Sequence, residues 1–272
     1  MYMLKINLSN KFKKHGVKQT RKDSRIPGSI VSIGLHHFKN ELGLRINPLT
    51  PYRKELNQVL STFTLDERMV KERELKREQV ECPYGMRLSY DVVCFVLETT
   101  FKDKPIDRFW FLENIARMPY VSFVTVLHLY ETLGWWYLDS DIKRQHLEQE
   151  ANETHHLRIM ESLYGDRFWW NRFITRHLAI VYYICLVILF MTSPKLAYLT
   201  SELLEMHAFD TYFEFAEQNK HELEKLPLTY AVKDYMPQAT SMYEVFVQIA
   251  NDEKHHADIL NIAQTLKTKD HM

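Results

Sequence analysis

Glycine is scarce in this chain, with 7 in 272 residues, and residues 166–272 hold none. Primed hairpin turns and β-bulges depend on glycine, so the C-terminal part reads as helical. Cysteine is nearly absent as well. Cys82, Cys94 and Cys185 form an odd set without a Cys-x-x-Cys, which excludes a disulfide framework or a zinc knuckle and fits a reducing compartment. Net charge is missing altogether, with 35 Lys and Arg against 35 Asp and Glu. Long-range attraction to nucleic acid is therefore not a property of the whole molecule, and no nucleic-acid partner is expected. A secretory signal is lacking too. The first 25 residues carry Lys5, Lys11, Lys13, Lys14, Lys18, Arg21, Lys22 and Arg25 against Asp23 alone, with no apolar core and no small-residue cleavage site. This basic run reads as a solvated tail, a transit-like segment or an arm for anionic lipid headgroups.

What the chain does have is apolar bulk, 46% of its residues, together with 13 His and 15 Tyr. The bulk excludes a disordered chain and suffices for one large or two small domains. The histidines supply metal ligands or acid–base groups. Residues 1–85 read as a basic, loop- and charge-rich N-terminal extension. It contains Pro27, Gly28, Gly34, Gly43, Pro48 and Pro51, and then a run of alternating charge from Asp66 to Glu81 that suits an exposed helix or connector.

From Met86 the texture changes, and residues 86–268 read as one helical domain. Helices are predicted at 86–101, 106–136, 141–163, 167–192, 195–219 and 241–267. They are separated by Lys104-Pro105, Leu138-Asp139-Ser140, Gly165-Asp166, Ser193-Pro194 and a connector holding Pro227 and Pro237. Asp166 is placed to cap a helix starting at Arg167, and Ser193 precedes a Pro at the first helical position. The fold class is all-α.

Leu178 to Pro194 carries no charge, and its length of about 26 Å is marginal against a hydrocarbon core of about 30 Å. Met118 to Tyr130 is a shorter uncharged stretch, and Trp135-Trp136 and Trp169-Trp170 lie where interfacial aromatics anchor. Two apolar helices without an adequate span suggest a monotopic protein lying in one leaflet. The alternative is that both are core helices of a soluble bundle.

Two segments repeat a pattern, Asn152-Glu153-Thr154-His155-His156 and Asp252-Glu253-Lys254-His255-His256. Each contains Glu-x-x-His, which on a helix puts a carboxylate and an imidazole on one face, able to bind one metal. Chance yields about one such tetrapeptide in a chain with this many Glu and His, so the count alone is weak. Context strengthens it, because apolar neighbours such as Leu157, Ile159, Val245 and Phe246 would make an uncompensated carboxylate costly. A two-metal site in a bundle needs one further Glu from each of two other helices. The helix at 195–219 offers Glu202 and Glu205, and that at 106–136 offers Glu113 and Glu131. The latter two lie about 27 Å apart along a helix axis, so only one can belong to a compact site. Spacing does not choose between them.

The segments Arg108-Phe109-Trp110-Phe111-Leu112-Glu113-Asn114-Ile115-Ala116-Arg117-Met118-Pro119-Tyr120, His128-Leu129-Tyr130-Glu131-Thr132-Leu133-Gly134-Trp135-Trp136 and Asn152 to Glu161 resemble the plastid terminal oxidase branch of the alternative oxidase family. The resemblance runs over roughly residues 86–267. It implies a ferritin-like four-helix bundle with a di-iron carboxylate centre and membrane-associating helices. The implied ligands of two Fe ions are Glu113, Glu153, His156, Glu205, Glu253 and His256, with Glu113 and Glu205 bridging or flanking the pair and His155 and His255 as neighbours. Tyr212 corresponds to a redox-active tyrosine, Asn152 and Asp252 to residues that orient the ligating imidazoles, and Arg108, Leu112 and Ala208 to the quinol pocket.

The activity so implied is oxidation of plastoquinol or a related quinol, with reduction of O2 to water, insensitive to cyanide and without proton pumping. A homodimer on one leaflet of the thylakoid membrane goes with it. Two other readings use the same ligands: a ferritin-like di-iron hydroxylase of a quinone precursor, and an iron-binding bundle without quinol chemistry. The chain departs from the family pattern at Asn114, where Thr is usual. An extra residue falls near Asp139, and the stretch between Tyr235 and Met242 is shorter than in plant plastid members.

Overall fold

The computed structural model describes residues 59–77, 80–135 and 140–266. The basic run over residues 1–25, the stretch from Pro27 to Pro51, Trp136 and the expected break at Leu138-Asp139 lie outside the described residues. Leu60 onward belongs to one compact unit, and every regular element described in it is a helix. In chain order these are α1 (Glu67–Lys76), α2 (Tyr84–Thr100), α3 (Pro105–Ala116), α4 (Met118–Thr132), α5 (Ser140–Ser162), α6 (Trp169–Thr192), α7 (Pro194–Gln218), α8 (Lys220–Lys225), α9 (Tyr230–Tyr235) and α10 (Met242–Leu266).

The all-α expectation holds, with one helix corrected. The segment at 106–136 is two helices, because Pro119 has no N–H to donate and its ring collides with the carbonyl one turn back. The chain breaks at Arg117, and Pro119 falls in the first turn of α4, where a missing N–H costs nothing. Ser193 and Pro194 open α7 as expected. Asp166 does not cap the next helix. That helix, α6, starts at Trp169 after Phe168, and the carbonyl of Asp166 instead accepts from the buried Arg172 guanidinium.

The bundle is built around the long α7–α10 pair, with α3 packed on α5, α6 and α7, and α4 on α5 and α6. Gly165, in the turn after α5, permits the close approach of α3. A Cβ there would lie 2.5 Å from Trp110 Cβ and 2.8 Å from the Ile106 carbonyl, and Trp110 is fully buried. An Arg167–Asp107 ion pair at 2.7 Å closes the same corner.

The two apolar stretches have different fates. Tyr120, Phe123, Val126 and Leu127 of α4 join the core, together with Leu186 and Phe190 from the inner face of α6. The rest of α6 is open: it is long and apolar enough to cross a membrane, yet only 17% of its apolar window is buried. Phe173, Ile180, Val181, Ile184 and Ile188 are exposed on it, and Trp135 and Trp170 are exposed near the two stretches. Helix α2 adds Leu88, Val92, Phe95 and Val96 to the exposed apolar surface, which the sequence reading did not anticipate. A soluble core helix does not leave such a face bare.

Candidate metal centre

Glu113 comes from α3, Glu153 and His156 from α5, Glu205 from α7, and Glu253 and His256 from α10. All six are buried. They form two overlapping groups, Glu113–Glu153–His156–Glu253 and Glu153–Glu205–Glu253–His256. Within each group the possible ligand atoms lie within 4.8 Å of one another. Glu153 and Glu253 belong to both groups; Glu113 and Glu205 each belong to one. Glu131 pairs instead with Lys143 at 3.0 Å, while Glu202 accepts from Asn261 at 2.9 Å and from Gln264.

Both imidazoles face the cluster through Nδ1. His256 Nδ1 lies 2.7 Å from Glu153 Oε1, and His156 Nδ1 lies 3.1 Å from Glu253 Oε1 and 3.7 Å from Glu113 Oε2. These approaches are close but do not have hydrogen-bond geometry. Both Nδ1 atoms, both oxygens of Glu153 and of Glu253, and one oxygen each of Glu113 and Glu205 are buried without a hydrogen-bond partner. So many orphaned acceptors around one point are what a shared cation would satisfy.

The electrostatics agree. Burial pushes Glu113 and Glu205 well above the usual carboxylate range, and the charges of Glu153 and Glu253 push them the same way. Burial disfavours a charged His256, but contact with Glu153 and Glu253 prevails and holds it at about 10. Such a cluster takes up protons or takes up cations. Four ionised carboxylates and two neutral imidazoles carry four negative charges, which two divalent ions cancel. The donor set, oxygen with imidazole nitrogen, suits iron. The residues therefore fit a pair of iron ions.

Around the cluster, Asp252 Oδ2 lies 3.2 Å from His156 Nε2, and Gln248 donates to its other oxygen at 2.8 Å. A proton on Nε2 leaves Nδ1 bare toward the cluster, the arrangement that prepares a histidine for metal. Asp252 thus reaches across from α10 to α5 rather than serving His256 on its own helix. Asn152 and Asp252 both line a cleft of about 670 Å³ against the segment Tyr235–Ala239, where Asn152 Oδ1 is buried without a partner. His155 stacks on Tyr235, with ring centroids 4.2 Å apart, and His255 is exposed; neither joins the cluster.

Tyr212 is fully buried, its hydroxyl donates to Glu113, and its ring stacks on Phe109 with centroids 4.0 Å apart. Burial first, and the Glu113 charge second, push its phenol well above the ordinary value. Tyr120, unsuspected from sequence, makes the matching contact, donating to Glu205 at 2.6 Å. A signal for it was present. Glu113 precedes Tyr120 by seven residues as Glu205 precedes Tyr212, and the two tyrosines serve each other's glutamates.

Arg108 and Ala208 are buried and Leu112 is half-buried. Arg108 Nη1 donates to Glu67 of α1, and Nη2 lies 3.0 Å from His207 Nε2.

An all-α bundle with four glutamates and two histidines in two overlapping buried groups has the architecture of the dinuclear carboxylate proteins. Residues 77–264 match the Alternative oxidase family, and the chain belongs to it. Among relatives, it is 39% identical over 197 residues to "Ubiquinol oxidase 4, chloroplastic/chromoplastic" of Arabidopsis thaliana, covering 65% of this chain and 56% of that protein. It is 26% identical over 207 residues to "Ubiquinol oxidase, mitochondrial" of Mangifera indica, covering 72% and 63%. To "Ubiquinol oxidase 2, mitochondrial" of Glycine max it is 28% identical over 174 residues, covering 61% and 50%. The chain thus spans between half and two thirds of the length of these relatives. No solved structure matches it.

Proposed function

We propose that this chain is a non-haem di-iron quinol oxidase, which oxidises plastoquinol or a related quinol and reduces O2 to water without pumping protons. The observation that carries the reading is the pair of overlapping groups sharing Glu153 and Glu253, in a chain of the alternative oxidase family. Glu113, Glu153, His156, Glu205, Glu253 and His256 would hold two iron ions, with Asp252 fixing the His156 proton and Asn152 beside it. When bound, the iron pair supplies the binding and reduction of O2. Tyr212 holds a phenolic proton at Glu113, at the edge of the centre, where a proton and an electron are drawn. Arg108 donates to a quinol oxygen, while Leu112 and Ala208 shape an apolar slot for the ring.

The exposed apolar faces of α2 and α6 support a monotopic seat in one leaflet, from which a lipid-soluble quinol enters sideways. Homodimer formation, insensitivity to cyanide and a thylakoid location complete the reading. The likeness to a chloroplastic relative supports plastoquinol, and the relatives' name, ubiquinol oxidase, makes ubiquinol the quinol to compare it with.

The test is O2 uptake by membranes expressing the full chain, supplied in turn with plastoquinol and ubiquinol analogues in the presence of cyanide. Cyanide-resistant uptake is expected, faster with the plastoquinol analogue and lost in Glu153→Ala. No uptake by folded, iron-loaded protein would overturn the reading and favour the hydroxylase.

A further inference from the structure

We propose that α1, which ends before the family match begins, is part of the quinol pocket: Glu67 and Glu74 position the Arg108 guanidinium and determine which of its nitrogens is left for the quinol oxygen. The inference rests on the reading of Arg108 as the quinol donor.

Arg108 is 1% exposed, and a buried guanidinium needs both a counter-charge and acceptors. Glu67 provides the counter-charge at Nη1. His207 provides an acceptor at Nη2. A guanidinium only donates, so for Nε2 of His207 to accept from it that nitrogen must be bare, a state that burial and the Arg108 charge favour against the pull of Cys94 and Glu74. The imidazole proton is on Nδ1, where it is donated to Glu74 Oε1 at 2.6 Å. Tyr90 donates to the same oxygen at 2.8 Å. Glu74 thus fixes the tautomer of His207, and through it the place of Nη2, much as carboxylates orient imidazoles elsewhere.

With Nη1 and Nη2 engaged, the remaining nitrogen, Nε, is buried without a hydrogen-bond partner. A buried unpaired donor on a charged group is costly and calls for an acceptor. A quinol hydroxyl or quinone carbonyl oxygen is one. The pocket residues lie close by in sequence, Leu112 one turn after Arg108 on α3 and Ala208 next to His207 on α7.

Helix α1 is seated independently of this contact. Glu67 and Glu74 are two turns apart on one face, with the buried Val70 between them. Arg77 holds Asp210 of α7 at 2.8 Å, and Arg73 approaches Asp210 and Glu214 at 3.9 Å. These ion pairs provide the control: Arg73→Gln removes the two longer anchors of α1 while the Arg77–Asp210 pair, Glu67 and Glu74 are kept.

The experiment uses the full, iron-loaded chain in lipid vesicles. KM and kcat for a plastoquinol analogue are measured alongside equilibrium binding of the corresponding quinone. Glu67→Gln and Glu74→Gln are each expected to raise KM and the quinone Kd about tenfold, with kcat at saturation within about twofold and iron content unchanged. Glu67→Asp, which restores the charge, recovers part of the loss. Arg73→Gln lowers Tm but leaves KM and Kd at the wild-type values.

If Glu67→Gln does not fold, Glu67→Asp and Glu74→Gln carry the same comparison. Wild-type binding in both glutamine variants, with Arg108→Lys impaired, would overturn the positioning role and leave the quinol reading intact. Tighter binding in Glu67→Gln would overturn it as well, because Glu67 would then compete with the quinol for Arg108. Failure of the wild-type chain to bind quinone at all would overturn both.

Discussion

Glu153→Ala and Glu253→Ala are each expected to lose both iron ions, falling from about two per chain to near zero, whereas Glu113→Ala and Glu205→Ala are expected to retain about one. The asymmetry follows from the geometry. Glu153 and Glu253 belong to both overlapping groups, while Glu113 and Glu205 each serve one. Iron per folded chain, measured by elemental analysis, checks the ordering; equal losses in all four variants would contradict it.

A second consequence separates a metal site from a structural ion-pair network. In the iron-free protein Glu153 crowds Glu113 and Glu205, whose carboxyls its charge pushes up, and its oxygens are orphaned. Neutralising one of four crowded buried carboxylates relieves more repulsion than the loss of its contact with His256, which Glu253 also faces, gives back. Iron-free Glu153→Gln is therefore expected to be more stable than iron-free wild type by about 1 kcal/mol, in chemical denaturation. Were the cluster there to hold the fold together, the substitution would destabilise.

Tyr212→Phe is expected to lower quinol-dependent turnover by about a hundredfold or more while iron content stays at the wild-type value. The ring of Tyr212 packs on Phe109 and Phe246, and phenylalanine preserves that packing. Only the hydroxyl at Glu113 is removed. With burial and Glu113 both holding the phenol protonated, the proton is present at any physiological pH and leaves only when the centre draws it. A tyrosine present for packing alone would lose about 1 kcal/mol of stability and little turnover. Comparing kcat, iron content and Tm of the variant decides between the two.

How much of this was legible in the sequence depended on whether the signal was local. The Glu-x-x-His pairs of α5 and α10 stood out because i and i+3 share a helix face, and Ser193-Pro194 marked the start of α7. The break before Pro119 was hidden, since Met118-Pro119 sits inside apolar residues of helical spacing that belong to two helices. That hidden break puts Glu113 on α3 and Glu131 on α4, so spacing along a single helix did not apply to the pair.

Helix α1 was read as an exposed charged run because charges of alternating sign dominate it, and Val70 is its one buried residue. Its partners Arg108, His207 and Asp210 lie tens to more than a hundred positions away, and nothing in a charge pattern reveals partners so distant. The exposed apolar face of α2 escaped notice for a different reason. Its hydrophobic residues read as one more core helix until burial showed which side was covered.

On the proposed function, quinol and O2 react at this cluster by four electrons. The most direct test is the amount of quinol consumed per O2 by the iron-loaded chain in the presence of cyanide, with hydrogen peroxide and the oxygen content of the product measured in the same run. The account predicts two quinols per O2, no peroxide, and a quinone that contains no atom from O2. One quinol per O2 with peroxide, or O2-derived oxygen in the product, would contradict it.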